Sequence, residues 1–162
     1  MIGKKLQNKI NEQIKNELES AYLYAAMVAW FKAQNWEGMA HWMEVQTKEE
    51  IGHATRFFNY IYERGGTVEL KPLSVLKNKW ESPLAAFKEA YAHEQFITAK
   101  INDLMQLALA ENDYATQGLL DWFVKEQVEE EDSVLKVVQH LERAGTSGQA
   151  LLMVDAFLSK RE

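Results

Sequence analysis

Glu17, Glu50, His53, Glu94, Gln127 and Glu130 are the residues whose types and spacing could do chemistry together. Glu94 follows Glu17 by 77 residues, Gln127 follows Glu50 by the same interval, and Glu130 follows His53 by it again. The set is an internal repeat that shows mainly in its polar positions. Each member interrupts an apolar row of 4-3 spacing, the pattern of a helix seam that faces a core. Taking an ionised carboxylate out of water without a partner costs several kcal/mol, and no Lys or Arg falls in these rows to pair with the four glutamates. Two divalent cations would balance them. His53, one turn after Glu50, adds a neutral nitrogen donor on the same helix face. The spacing therefore predicts a dinuclear carboxylate site, and oxygen-rich donors with one imidazole suit Fe, Mn or Zn alike. A lone glutamate in a seam is ordinarily a solvated or hydrogen-bonded residue. That explanation fails for a set that shares depth, face and repeat interval.

Four long helices are needed to hold these residues. Ile10, Ile14, Ala21, Tyr24, Val28 and Phe31, with Glu17 at the missing step, predict the first. Met39, Met43, Phe57 and Tyr60, with Gln46, Glu50 and His53 in the gaps, predict the second. Ser82-Pro83, a good N-cap followed by proline at the first helical position, opens a third, with the row Phe87, Tyr91, Glu94, Thr98, Ile101 and Met105. Leu120, Phe123, Gln127, Glu130, Val134, Val137 and Leu141 make the fourth row. The joins near Asn35 and Asn112 are too short for anything but antiparallel hairpins. Glu17 and His53 each lie 18 residues from position 35, and Glu94 and Glu130 each lie 18 from position 112, so each pair shares one layer. Gly65-Gly66 ends the second helix, and residues 65–81 carry no helical period. At about 3.3 Å per residue they reach roughly 55 Å, enough to return along helices about 40 Å long. The second and third helices are thus expected to run parallel. Gly145 to Gly148 stops the fourth helix before a short segment, Gln149 to Leu158, whose apolar set Leu151, Leu152, Val154, Phe157 and Leu158 reads as a docking element. The expected fold is all-α in a single domain, 1–162. A four-helix bundle with one long crossover fills about 5–144, and a short C-terminal fifth helix fills about 147–159.

Composition agrees and excludes several functions. Among 162 residues, 8 Gly and 2 Pro are too few breakers for a sandwich or barrel. Hydrophobic residues at 47% and charged residues at 26% exclude a disordered chain. Lys and Arg number 18 against 24 Asp and Glu, a net charge of −6 with no basic stripe, so nucleic acid is not an expected partner and cations are. The absence of cysteine excludes disulfides, thiolate catalysis and Cys-ligated metal, and is compatible with a cytoplasmic location. The longest apolar run, Ala21 to Phe31, is shorter than the about 20 residues a membrane helix needs, and the start shows no apolar signal core. No membrane partner is expected. Glu49, Glu126 and Glu129 flank the seam and are candidates for an accessory metal site, whereas Glu131 and Asp132 read as a solvated face. Tyr24 belongs to the core by spacing, but helical side chains lean toward the N-terminus, which aims its hydroxyl at the Glu17 layer. The tryptophans and methionines read as core or interface. His41, His93 and His140 lack a carboxylate constellation and receive no role.

Glu17 with Glu50-Ile51-Gly52-His53, then Glu94, then Glu126-Gln127-Val128-Glu129-Glu130, resembles the bacterial and archaeal non-haem ferritins over essentially the whole chain. Only the first of two Glu-x-x-His motifs is kept. Gln127 and Glu130 replace the second, a departure from the bacterioferritin and rubrerythrin pattern that matches the non-haem ferritins. The resemblance implies a ferritin-like fold and ferroxidase activity, oxidising Fe(II) to Fe(III) with O2 and storing it as a ferric mineral. It implies a homo-oligomeric 24-subunit cage with the short fifth helix at a symmetry axis. It places Glu17, Glu50 and His53 at one iron and Glu94 and Glu130 at the other, with Glu50 bridging, Gln127 nearby and Tyr24 hydrogen-bonded beside them. A third iron is implied at Glu49, Glu126, Glu129 and the shared Glu130. Bacterioferritins carry a haem-ligating Met just after the bridging Glu; Ile51 stands there, so no haem is expected. A rubrerythrin-like di-iron peroxidase or oxidase is the rival enzyme, against which the missing second Glu-x-x-His and the lack of a cysteine-rich iron domain argue. The unpaired buried acids argue against a metal-free helical interaction module.

Overall fold

Asn35 and Asn112 make the two hairpins. They are 77 residues apart, the interval of the polar repeat, and both take the left-handed conformation, with φ of 61° and 53°. Asn tolerates that region better than most residues because its short side chain can bond locally. In each turn the next N–H reaches back to close the helix end: Trp36 N to the Phe31 carbonyl at 3.0 Å, and Asp113 N to the Ala108 carbonyl at 2.9 Å. Gly65, at φ 68°, ends the second helix the same way, with Gly66 N on the Ile61 carbonyl at 2.9 Å. The computed structural model describes residues 1–74 and 77–162 and contains α1 (Lys4–Ala33), α2 (Glu37–Glu63), α3 (Pro83–Ala110), α4 (Tyr114–Ala144) and α5 (Gly148–Leu158).

Helix starts follow capping chemistry. The Ser82 hydroxyl accepts from Ala85 N at 3.1 Å with Pro83 inside the first turn of α3, and the Asp113 carboxylate accepts from Thr116 N at 3.0 Å at the start of α4. Asp113 is also gripped by Arg64 through two parallel bonds of 2.8 and 2.9 Å, which ties the end of α2 to the start of α4. That guanidinium holds the Asp113 carboxyl down at about 2.

Side-chain pairs give the helix directions. Ser20 meets His93, Tyr24 meets Glu94 and Phe31 meets Phe87, so α1 and α3 run in opposite senses. Since α1 and α2 form a hairpin, α2 and α3 are parallel, and residues 64–82 carry the crossover. Asn11 holds this segment by bonding the Thr67 carbonyl at 3.3 Å and Glu69 N at 3.0 Å, and Trp80 sits edge-on to Trp30 with centroids 5.7 Å apart. Val75 and Leu76 of the expected crossover lie outside the described residues.

The apolar core is split. One part gathers Leu6, Ile10, Ile14, Phe57, Ile97, Ile101 and Phe123; the other gathers Tyr24, Met27, Phe31, Met43, Phe87, Val134 and Leu141. Between them lie buried Glu17, Gln46, Glu50, His53, Glu94, Gln127 and Glu130. Two dry plugs therefore enclose a polar layer, and each apolar side chain adds about 1.5–3 kcal/mol of burial to hold it.

The fifth helix runs from Gly148 to Leu158, within the expected span of about 147–159. It docks on the start of α2, where the Asp155 carboxylate accepts from Met39 N at 2.8 Å. A Cβ on Gly38 would lie 1.8 Å from the Asp155 carbonyl oxygen, so this approach requires glycine. The docking covers less of α5 than its apolar set suggests. Leu158 is buried and Leu151 and Val154 are half-buried, but Leu152 and Phe157 stand exposed together with Met153. Among the described residues no helix is long and apolar enough to cross a membrane.

Candidate metal centre

All four long helices contribute to the layer: α1 gives Glu17, α2 gives Glu50 and His53, α3 gives Glu94, and α4 gives Gln127 and Glu130. His53 stands at its middle. Its Nδ1 is 3.3 Å from Glu50 Oε2 and 4.0 Å from Glu17 Oε2, and its Nε2 is 3.9 Å from Glu126 Oε1. Among the described residues two sets offer ligand atoms within 4.8 Å of one another: Glu17 with Glu50 and His53, and His53 with Glu126 and Glu130. Glu94 is in neither set. It is held from two sides, by the Tyr24 hydroxyl, which donates to Oε1, and by Gln127 Nε2, which donates to Oε2 at 3.2 Å. Tyr24, fully buried, thus reaches the layer that its helix position aims it at.

Two glutamines complete the layer that sequence reasoning did not assign. Gln46 Nε2 donates to Glu50 Oε1 at 3.1 Å and to Glu130 Oε2 at 2.7 Å, joining α2 to α4, and Gln13 Nε2 donates to Glu17 Oε1 at 2.8 Å. Each stands four residues before its glutamate, one turn away on the same face. That spacing was the available signal. The repeat concealed it, because the positions 77 residues later are Ala90 and Phe123.

Burial and mutual repulsion raise the carboxyl groups. Burial pushes Glu17 well above the usual range, with Glu50 adding to it, and burial with Glu94 and Glu130 does the same to Glu50. Burial raises Glu94 to about 7, and burial with the Glu94 charge raises Glu130 to about 7. A buried acid that cannot find a cation keeps a proton. Two buried oxygens, Glu17 Oε2 and Gln46 Oε1, have no hydrogen-bond partner among the described residues. Unsatisfied buried acceptors are uncommon in folded chains. Together with four carboxylates and one imidazole they fit hard or borderline divalent cations.

The flanking acids divide. Glu126 is half-buried and joins His53 and Glu130, whereas Glu49 and Glu129 enter neither set. The Glu49 carboxylate is bound instead by Arg161 Nη2 at 2.5 Å, and Glu129 is exposed. Asp132 is solvated as expected, paired with Lys136 on the surface. Glu131 is not. It is half-buried and accepts from the Thr98 hydroxyl at 2.6 Å, and Gln127 Nε2 in turn reaches Thr98 at 3.3 Å, so Glu131 helps to orient the glutamine of the layer. Of the histidines left without a role, His93 bonds Ser20 at 2.7 Å, His41 bonds the Arg161 carbonyl at 2.7 Å, and His140 packs edge-on to Phe157.

Two hairpins joined by a long crossover around a buried carboxylate layer define the class first, a ferritin-like four-helix bundle. Residues 7–144 match the family described as Ferritin-like domain, and the chain belongs to the ferritin family. It is 40% identical over 161 residues to a bacterial non-heme ferritin of Bacteroides fragilis, spanning 99% of this chain and 100% of that one. A bacterial non-heme ferritin of Staphylococcus aureus is 35% identical over 161 residues, spanning 99% and 97%. An open pore ferritin from the hyperthermophilic archaeon Archaeoglobus fulgidus superposes with a TM-score of 0.99 at 42% identity over the whole of both chains.

Proposed function

We propose that this protein stores iron, oxidising Fe(II) to Fe(III) with O2 at the carboxylate layer and keeping the product as a ferric mineral inside an oligomeric cage. Membership of the ferritin family and the non-heme ferritin relatives support iron storage. One observation carries the chemistry: Glu17, Glu50, Glu94 and Glu130 are buried at one depth with no Lys or Arg among them. In this reading Glu17, Glu50 and His53 hold one Fe(II), Glu94 and Glu130 hold a second, and Glu50 lies between. Gln46 and Gln13 fix the carboxylates of Glu50, Glu130 and Glu17, and Tyr24 and Gln127 fix that of Glu94. Few protein ligands per ion leave room for O2, and each Fe(II) gives it one electron. The protons that the raised carboxyls carry leave as the cations enter.

Storage needs a wall as well as a centre. Leu152, Met153 and Phe157 on α5, with Tyr22, Leu70 and Tyr114 elsewhere, expose apolar surface of the kind that subunit interfaces cover. We assign them to a homo-oligomer, a 24-subunit cage by analogy with the family, working in the cytoplasm without haem. Repeated aerobic Fe(II) additions, followed by sedimentation, test this. The expected result is a large closed assembly that carries soluble iron far beyond the few ions its side chains could bind. A stable monomer or dimer that saturates at two or three irons per chain and lets the rest precipitate would leave a di-iron oxidase as the better account.

A further inference from the structure

Glu49 points toward the candidate metal acids in sequence, yet the structure gives its carboxylate to another segment. Beyond the end of α5, four contacts fix Arg161 against α2. His41 Nε2 donates to the Arg161 carbonyl at 2.7 Å, Arg161 Nη1 donates to the Trp42 carbonyl at 3.2 Å, the guanidinium carbon lies 4.1 Å over the Trp42 ring, and Nη2 meets Glu49 Oε2 at 2.5 Å. A half-exposed ion pair holds two long side chains weakly by itself. Three of these four contacts do not involve Glu49, so groups other than the ion pair also hold the cation in place.

Glu49 lines an open cleft of about 520 Å3 together with His53, Arg56, Trp122 and Glu126. This cleft is where the buried layer meets the surface, because His53 belongs to both: Nδ1 faces Glu50 and Nε2 faces Glu126. The guanidinium that lines the cleft, that of Arg56, sits 4.0 Å over the Trp122 ring, and it is Arg161, from outside the cleft, that pairs with Glu49. His53, Glu126 and Glu130 already bring ligand atoms within 4.8 Å of one another. With the imidazole of His53 committed to the central layer, a cation between Glu126 and Glu130 lacks one further carboxylate, and Glu49 is the neighbour that could give it.

We propose that Arg161 is a tethered counter-ion that competes with a divalent cation for Glu49. It is a positioning residue: it sets where the Glu49 carboxylate is, and so how tightly a third cation binds in the cleft beside the central pair. With Arg161 in place, that cation loads last and leaves readily toward the surface. The inference rests on the two-metal reading of the central layer.

Anaerobic calorimetric titration of the assembled protein with Zn(II), which is redox-inert, separates the two. The wild type, Arg161→Gln and the double variant Arg161→Gln/Glu49→Gln would be compared. The first two equivalents should be the same in the wild type and Arg161→Gln, the third should bind about tenfold tighter in Arg161→Gln, and the double variant should lose that gain. Equal third affinity in the wild type and Arg161→Gln, with the first two equivalents intact, overturns the counter-ion and leaves the centre standing. Absence of the first two equivalents in the wild type overturns the centre and the counter-ion with it. Should Arg161→Gln fail to assemble, crystals of the wild type in excess Zn(II) give the answer. Glu49 on an ion with Arg161 turned away supports the inference, and an intact Arg161–Glu49 pair, with or without an ion in the cleft, overturns it.

Discussion

Glu17→Ala and His53→Ala should each slow the fast phase of aerobic Fe(II) oxidation by about 100-fold or more while the helical fold persists. In the proposed function each variant removes a direct ligand of one ion, and changes even in the groups that merely orient ligands commonly cost 10–100-fold. Losing one ion also removes one of the two electrons that O2 takes together. Stability should change little or improve for Glu17→Ala in the metal-free protein. Its carboxyl sits fully buried against Glu50 and is held well above its ordinary range, so truncation relieves a desolvated group at the cost of a small cavity. Stopped-flow absorbance gives the rate, and far-ultraviolet circular dichroism with melting gives the fold. Initial rates equal to the wild type in both variants would refute the assignment of these residues.

The metal-free protein should melt about 10 °C lower at pH 8 than at pH 5. Glu94 and Glu130 are raised to about 7 in the folded chain from an ordinary value of 4.5. Between those values the folded state keeps protons that the unfolded state has released, so stability falls as pH rises through this window and levels off above it. Moving one carboxyl this far corresponds to at most roughly 3 kcal/mol, and about 2–4 °C follows each kcal/mol in a chain of this size. Asp113 works in the opposite direction. Held at about 2 by Arg64, it stabilises the fold above its ordinary 3.8, and that contribution fades as pH drops through about 2. The metal-free bundle should therefore be most stable in mildly acid solution. A saturating divalent cation should abolish most of the pH 5 to 8 difference by replacing the protons. Scanning calorimetry of chelator-treated protein, with assembly state matched by sedimentation, measures this. A melting temperature that is flat or rising from pH 5 to pH 8 would show that burial does not hold protons on the carboxyls of the layer.

The parts of the fold that could be read from sequence are those encoded in one dimension. A polar residue at a step of an apolar row declares its burial, and Glu17, Glu50, His53, Glu94, Gln127 and Glu130 all do so. The interval of 77 residues exposed the repeat because both hairpins keep one length on either side of Asn35 and Asn112. What could not be read depends on segments that meet from far apart in the chain. Nothing local to Gly38 announces that the Asp155 carbonyl will pass over it, and nothing local to Arg161 points to Glu49. Gln13 was obscured, and Gln46, though visible in the seam of the second helix, received no role, because their repeat counterparts are apolar. Glu131 reads as solvated because it stands in an acidic run; only the approach of α3, which brings Thr98 beside it, turns it inward.

In the proposed function the buried carboxylates form a seat for two cations. Anomalous diffraction at the iron edge, from crystals soaked in Fe(II) without oxygen, tests it most directly. Two peaks are expected inside the bundle, one among Glu17, Glu50 and His53 and one among Glu50, Glu94 and Glu130. Iron found only at exposed acids such as Glu129 and Asp132, with no peak in the layer, would contradict it.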